Sequence, residues 1–286
     1  MNTIQWYPGH MTAAMRRMQE DIKLIDLMIE LVDARIPVSG RNPDLDRLGQ
    51  NKAGIIILNK SDLADPAKSR RWVEYFEKSG KKAVLMDARS RDGMKDVKGA
   101  VLEACQAKID RDRKRGIKNR PVRAMVVGIP NVGKSTFINS YAGRSCAKTG
   151  DKPGVTKGKQ WIKLDKNLEL LDTPGVLWPK FEDRTVGLHL AMIGSINDEI
   201  LEKEELAVEI LREMKKLYSA RISDRYGIEE SGDDYSILQE ISLKRGCLLK
   251  GGEADTKKGA GLVIDDFRKG RLGVYTLETA PDEGIF

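Results

Sequence analysis

The chain has 286 residues, 40% of them hydrophobic and 33% charged, and a formal net charge of +7. No run approaches the ~18 apolar residues a membrane helix needs, and the opening residues, with Arg16, Arg17 and Glu20 among them, lack the apolar stretch of a signal peptide. Three scattered cysteines (Cys105, Cys146, Cys247) and two histidines (His10, His189) argue against a disulfide framework and a metal cluster, so a cytoplasmic protein is expected. The basic surplus lies in the first two thirds of the chain, whereas residues 197–286 are acidic overall; a polyanionic partner for the basic part is implied.

In chain order, residues 12–24 space Met15, Met18 and Ile22 at helical intervals with Arg16, Arg17 and Lys23 opposite, which predicts an amphipathic helix. Short apolar runs at 27–32, 54–58, 83–86, 122–127, 160–164 and 168–171 predict strands, and the amphipathic stretches 69–78 and 94–107 between them predict covering helices. Such alternation is the mark of a mostly parallel, doubly wound α/β sheet. From about Asn197 the pattern turns helical, over 198–218, 235–248 and 255–269, with an acid-rich loop at 227–234. The expected organisation is an α/β domain over 1–190 and a small all-helical domain over 191–286.

Residues 128–135, Gly-Ile-Pro-Asn-Val-Gly-Lys-Ser, match the phosphate-binding pattern G-x-x-x-x-G-K-[ST], directly after a strand and before a helix. The glycines let backbone N–H groups wrap a phosphate chain, Lys134 reaches the β- and γ-phosphates, and the Ser135 hydroxyl takes Mg²⁺; Asn131, Val132, Gly133, Lys134, Ser135 and Thr136 are the expected contacts. After the strand at 54–58 comes Asn59-Lys60-Ser61-Asp62, an N-K-x-D element. The Asp62 carboxylate can accept from guanine N1–H and the 2-amino group, donors that adenine lacks, which supports discrimination of about 10⁴. Asn59 and the Lys60 stem are expected to support the base from its other edge and face. Asp87-Ala88-Arg89 fits loosely the Ser-Ala-Lys element of guanine sites, with the Ala88 N–H against guanine O6. Asp172-Thr173-Pro174-Gly175 fits D-x-x-G, in which Asp172 acts on Mg²⁺ through water and the Gly175 N–H meets the γ-phosphate. Thr156, within Pro153-Gly154-Val155-Thr156, offers a further oxygen to Mg²⁺ and the γ-phosphate.

The base-reading elements here precede the phosphate loop, the reverse of the order in Ras-like GTPases, so the fold class expected is a Ras-like P-loop GTPase sheet in circularly permuted order. Together with Trp6-Tyr7-Pro8-Gly9-His10-Met11 at the start and Leu177-Trp178-Pro179-Lys180-Phe181 after D-T-P-G, this order closely resembles the ribosome biogenesis GTPase A (YlqF) family. The resemblance implies a GTP-hydrolysing factor in late maturation of the large (50S) ribosomal subunit. It would bind ribosomal RNA and be stimulated by the particle; separately from the resemblance, a monomer with no membrane partner is expected. The zinc site or OB-fold of related permuted GTPases has no counterpart in this sequence.

Val176 stands where Ras-type sites carry the water-orienting glutamine, so slow unassisted turnover is expected. The resemblance offers His10 as the residue that positions water on the ribosome, and Asn131 as a ligand to K⁺, a second cofactor beside Mg²⁺. The catalytic set is then His10, Lys134, Thr156 and Gly175. The basic residues Lys108, Arg111, Arg113, Lys114, Arg115, Lys118, Arg120 and Arg123 supply candidate phosphate contacts to RNA, with Lys244, Arg245, Lys250, Lys257 and Lys258 as a weaker second group. The alternative is an RNA-binding scaffold gated by nucleotide, with incidental hydrolysis. A P-loop ATPase is disfavoured by Asp62.

Overall fold

A computed structural model describes residues 9–117, 120–147, 161–171, 173, 175–178, 181, 183–196 and 202–281, with only the backbone of residues 9 and 10. Two compact units emerge: one runs to Lys180 and takes back the chain from Glu278, and the other spans Phe181–Leu277.

The first unit is built on a six-stranded sheet in the order β3-β2-β1-β4-β6-β5. Its strands are β1 (Leu27–Asp33), β2 (Ala53–Asn59), β3 (Lys82–Met86), β4 (Val122–Val127), β5 (Trp161–Lys163) and β6 (Leu168–Leu171). All pairings are parallel except β5 with β6. Every residue of β1 is buried, as a strand flanked on both sides and covered on both faces must be. Around the sheet lie α1 (Gly9–Asp21), α2 (Pro43–Gly49), α3 (Pro66–Lys78), α4 (Met94–Ala104), α5 (Gln106–Lys114) and α6 (Lys134–Ala142). α1 starts at Gly9, earlier than the apolar spacing marked, and buries Met11, Ala14 and Met18 while Arg16 and Arg17 stay exposed. The sequence places Ile22 on this helix, but the chain tightens to a 3₁₀ turn at Ile22–Leu24.

α3 shows how local sequence feeds the core. Asp65 accepts from the N–H groups of Ala67 and Lys68, Pro66 sits in the first turn, and Trp72 and Phe76, four residues apart, face inward. They pack with Val32, Ile56, Leu58 and Ala280. Burying side chains of this size stabilises the unit by roughly 2–3 kcal/mol each.

The helical unit comprises α7 (Arg184–Met192), α8 (Lys203–Leu217), α9 (Arg221–Tyr226), α10 (Asp234–Lys244) and α11 (Thr256–Arg268). α7 falls in this unit, ahead of position 190. Leu206, Ile210, Leu211 and Met214 of α8 are buried, as are Ile237, Leu238 and Ile241 of α10 and Val263 and Phe267 of α11. Asp233 and Asp255 cap the last two helices, and Arg268 donates to the carbonyls of Ala191 and Met192 at the end of α7. Among the described residues no helix is long and apolar enough to cross a membrane.

The chain end returns to the first unit as a strap. The Glu278 carboxylate accepts from the N–H groups of Val38 (2.6 Å) and Ser39 (2.9 Å), and its carbonyl accepts from Trp72 Nε1 (3.3 Å). Glu278→Ala removes two charge-assisted acceptors and is expected to lower the free energy of unfolding by about 1–2 kcal/mol. Urea unfolding measures this, and an unchanged midpoint would mean that water serves those N–H groups equally well.

Candidate functional site

β1 and β4 are the strands at which the sheet changes winding direction, and in open α/β sheets ligands bind there, beyond the carboxyl ends of the strands. Among the loops that leave these ends are residues 34–42 after β1, 60–65 after β2, 87–93 after β3 and 128–133 after β4. The structure ties them together through Asn59. Its Nδ2 donates to the Val132 carbonyl (2.8 Å) and its Oδ1 accepts from the Ala88 N–H (3.1 Å). The motifs place Asn59 and Ala88 on the base itself; in the structure the two groups are joined to each other, so guanine O6 would have to share the Ala88 N–H. Lys60, in left-handed backbone (φ 59°), donates through Nζ to the Asn131 carbonyl (2.9 Å). Asp62 follows in the 3₁₀ turn Ser61–Leu63 with its side chain exposed.

On the phosphate side, α6 begins at Lys134, and its N-cap is Gly133, which has no side chain to cap the first turn. The unpaired N–H groups of a helix start, together with the helix dipole, favour an anion at this end of α6. Gly133 has φ 101°, and a Cβ there would lie 2.5 Å from Asn59 Nδ2, so only glycine fits between the two loops. Lys134 is buried and donates to the Gly128 (3.0 Å) and Ile129 (2.7 Å) carbonyls. Ser135 and Thr136 are half-buried in the same first turn. Gly175 packs against the loop, and a Cβ there would meet Lys134 Nζ at 2.9 Å and Pro130 Cα at 2.8 Å. The Val176 N–H donates to the Gly128 carbonyl (3.2 Å), and the Thr173 hydroxyl donates to that of Val126.

A feature absent from the sequence reading lies beneath this site. Asp33, at the end of β1, is fully buried against Arg35, whose Nε and Nη2 each donate to one carboxylate oxygen at 2.8 Å, while Lys60 Nζ lies 3.0 Å from Oδ2. Burial opposes ionisation, but Arg35 and Lys60 outweigh it and hold the Asp33 carboxyl far below the usual range. Partial desolvation by the surrounding loops pushes the exposed Asp62 carboxyl up and Asp87 adds to this, with Arg89 and Arg35 pulling the other way. At Asp87, burial is outweighed by a hydrogen bond with the Ser90 side chain and by the N–H groups of Arg89 and Ser90, which leaves its carboxyl below the ordinary value. The signal for the missed pair was Asp33-Ala34-Arg35 directly after an apolar strand.

His10 lies in the first turn of α1 with its side chain outside the described residues, as are Thr156, Asp172 and Lys118. The basic groups divide. Arg111, Arg113, Lys114, Arg115 and Arg120 are exposed. Lys108 instead pairs with Asp26 (3.1 Å) and Asp112 (3.3 Å), and Arg123 pairs with Glu169 and stacks on Trp161. Arg245 lies over Tyr226 and donates to the Arg225 carbonyl, Lys258 pairs with Asp255, and Lys244, Lys250 and Lys257 are exposed.

Residues 123–226 match the family model described as a 50S ribosome-binding GTPase. The ribosome biogenesis GTPase A of Bacillus cereus is 47% identical over 282 residues, covering 98% of this chain and 95% of that protein. This chain belongs to the ribosome biogenesis GTPase A family. Its fold matches the GNP-bound YlqF of T. maritima with a TM-score of 0.65 at 27% identity, covering 94% of this chain and 99% of that one. The GDP-bound form gives 0.66 at 26% identity, covering 93% and 100%. Membership makes the chain a GTP-hydrolysing P-loop protein with its motifs in permuted order.

Asp33 provides a pH test. Its depressed carboxyl contributes stability that is present above the unfolded value of about 3.9 and lost as pH falls below it. Asp33→Asn, which strands Arg35 as protonation of Asp33 does, is expected to destabilise strongly at neutral pH and progressively less below about pH 4. A stability gap that stays constant through the acid range would contradict the assignment.

Proposed function

We propose that this chain is a GTPase acting late in assembly of the large ribosomal subunit, its nucleotide state gating its binding to ribosomal RNA particles in the cytoplasm. The observation that carries the nucleotide site is the Asn59 and Lys60 bridge, which holds the base-reading loop and the phosphate loop as one wall. Asp62 accepts the two donors of guanine, and the Lys60 stem lies along the nucleoside. The start of α6 receives the phosphates, where Lys134 exchanges two loop carbonyls for phosphate oxygens. Gly175, which approaches Lys134 more closely than any side chain would allow, offers its N–H to the γ-phosphate.

The half-buried Ser135 hydroxyl is an oxygen donor of the kind Mg²⁺ takes, with Thr156 and, through water, Asp172 as further ligands. Bound there, Mg²⁺ neutralises charge on the transferring phosphoryl group. Asn131 is the proposed contact to K⁺. Val176 is buried with its N–H engaged, so it cannot orient the attacking water. That role is assigned to His10, and turnover without a partner should be about 10⁻⁴ to 10⁻³ s⁻¹ or lower. The exposed cations of α5 and its following turn, Arg111 to Arg115, are the proposed RNA contacts.

Adding large-subunit particles is expected to raise GTP turnover by an order of magnitude or more over the free protein, and His10→Ala should remove most of that rise. Absence of any rise favours the nucleotide-gated scaffold; a full rise in His10→Ala reassigns the water-positioning residue. Asp62→Asn replaces an acceptor with a donor where the guanine 2-amino group sits. It should cost about 100-fold or more in GDP affinity and admit xanthosine diphosphate, whose 2-oxo group accepts. Calorimetric titration of both nucleotides reads the exchange, and retained GDP preference would place guanine recognition elsewhere.

A further inference from the structure

The charged cluster under Lys60 has no part in the proposed site, although four of its features point there. Asp33 ends the central strand β1 and Arg35 follows two residues on, and they are 0% and 1% exposed. The Arg35 guanidinium grips both oxygens of Asp33 through its Nε–Nη2 edge, and the Arg35 N–H also donates to Asp33 Oδ1 (3.1 Å). The second carboxylate oxygen reaches Lys60 Nζ, the same atom that donates to the Asn131 carbonyl. The backbone is locked in register as well, since Asp33 stands opposite Asn59 in the β1–β2 ladder and the Ala34 N–H donates to the Asn59 carbonyl (2.8 Å).

Lys60 therefore sits in left-handed backbone, which a residue with a β-carbon seldom adopts, with its ammonium fixed between a buried carboxylate and a loop carbonyl. A lysine stem is otherwise among the most mobile of side chains, and its ordering is costly. A buried ion pair adds little net stability relative to apolar residues of the same size, because desolvation offsets the attraction. What this pair does supply is a fixed direction for Lys60. Its second member also bears on the base reader, since the Arg35 charge favours the ionised form of Asp62.

We propose that Asp33 and Arg35 are positioning residues for guanine-nucleotide recognition: the buried pair sets the Lys60 ammonium on the Asn131 carbonyl and so preforms the nucleoside wall of the site. This rests on the nucleotide site proposed above. The pair touches no substrate and acts through Lys60, with Arg35 adding a smaller electrostatic effect on Asp62.

The test is a double-mutant cycle read by titration with fluorescent GDP and by thermal unfolding. Asp33→Asn/Arg35→Met removes both charges together and strands neither. It is expected to unfold within a few degrees of the parent yet bind GDP about tenfold more weakly. In a Lys60→Met background the same pair of changes should alter GDP affinity by less than about threefold, the remainder reflecting Asp62. If the combined variant does not fold, Arg35→Lys, which keeps the charge but loses the fork, takes its place, with a smaller loss that likewise disappears when Lys60 is Met. Equal losses with and without Lys60, or no loss in either, overturn the inference. Failure of the unaltered protein to bind GDP would instead overturn the site itself.

Discussion

The carboxamide of Asn59 joins three loops that are far apart in sequence, and the placement of the remaining site residues follows from it. A carboxamide carries donors and an acceptor on one planar group, so it can receive the Ala88 N–H and serve the Val132 carbonyl at once. An aspartate could not donate to Val132, and a leucine would leave two buried backbone groups unpaired. The contact also accounts for Gly133, since a β-carbon there would occupy the space of the amide nitrogen. The end of β2 is thereby hydrogen-bonded to the loops after β3 and β4 rather than merely adjacent to them.

Charge placement around this amide works by exchange rather than by creation of bonds. Lys134 donates to two carbonyls of its own loop, and Lys60 to a third. In the site proposed above, turning Lys134 toward phosphate oxygens would replace neutral acceptors with charged ones, and the net gain would come from that difference in strength. The price of keeping an ammonium buried is met by the loop in the meantime. Gly175 seals the arrangement from the other side, because its lack of a side chain lets it approach both Pro130 and Lys134.

Much of this was legible in the sequence because its signals are local. The strand at 54–58 followed by Asn59 to Asp62, and the strand at 122–127 followed by 128–135, are short stretches in which residue type and geometry are tightly linked. Long amphipathic helices such as α8 and α11 announced themselves by periodicity. The short helices α2, α7 and α9 did not, since two turns give too few repeats for a period to stand out and their ends are set by tertiary contacts. The partners of the charged groups were also invisible. Lys108 belongs by composition to a basic run, yet the fold brings Asp26 to it across more than eighty residues of chain. Arg35 reads as an ordinary strand-end arginine until Asp33 and Lys60 are placed beside it.

Permutation leaves this logic intact because the site depends on where strands lie and not on the order in which the chain visits them. β1, β2 and β3 supply one half of the loop cluster and β4 and β6 the other, and each strand presents the same carboxyl edge whichever half is made first. A description of the GTPase family in linear order can follow only one side of the break, and the match accordingly begins at Arg123, inside the strand that carries the phosphate loop. The base-reading half, upstream, is joined to it through side chains and sheet pairing. The Asn59 amide and the Lys60 ammonium thus join the end of β2 to the loop after β4, and the ladder between β1 and β4 gives the two halves a common frame.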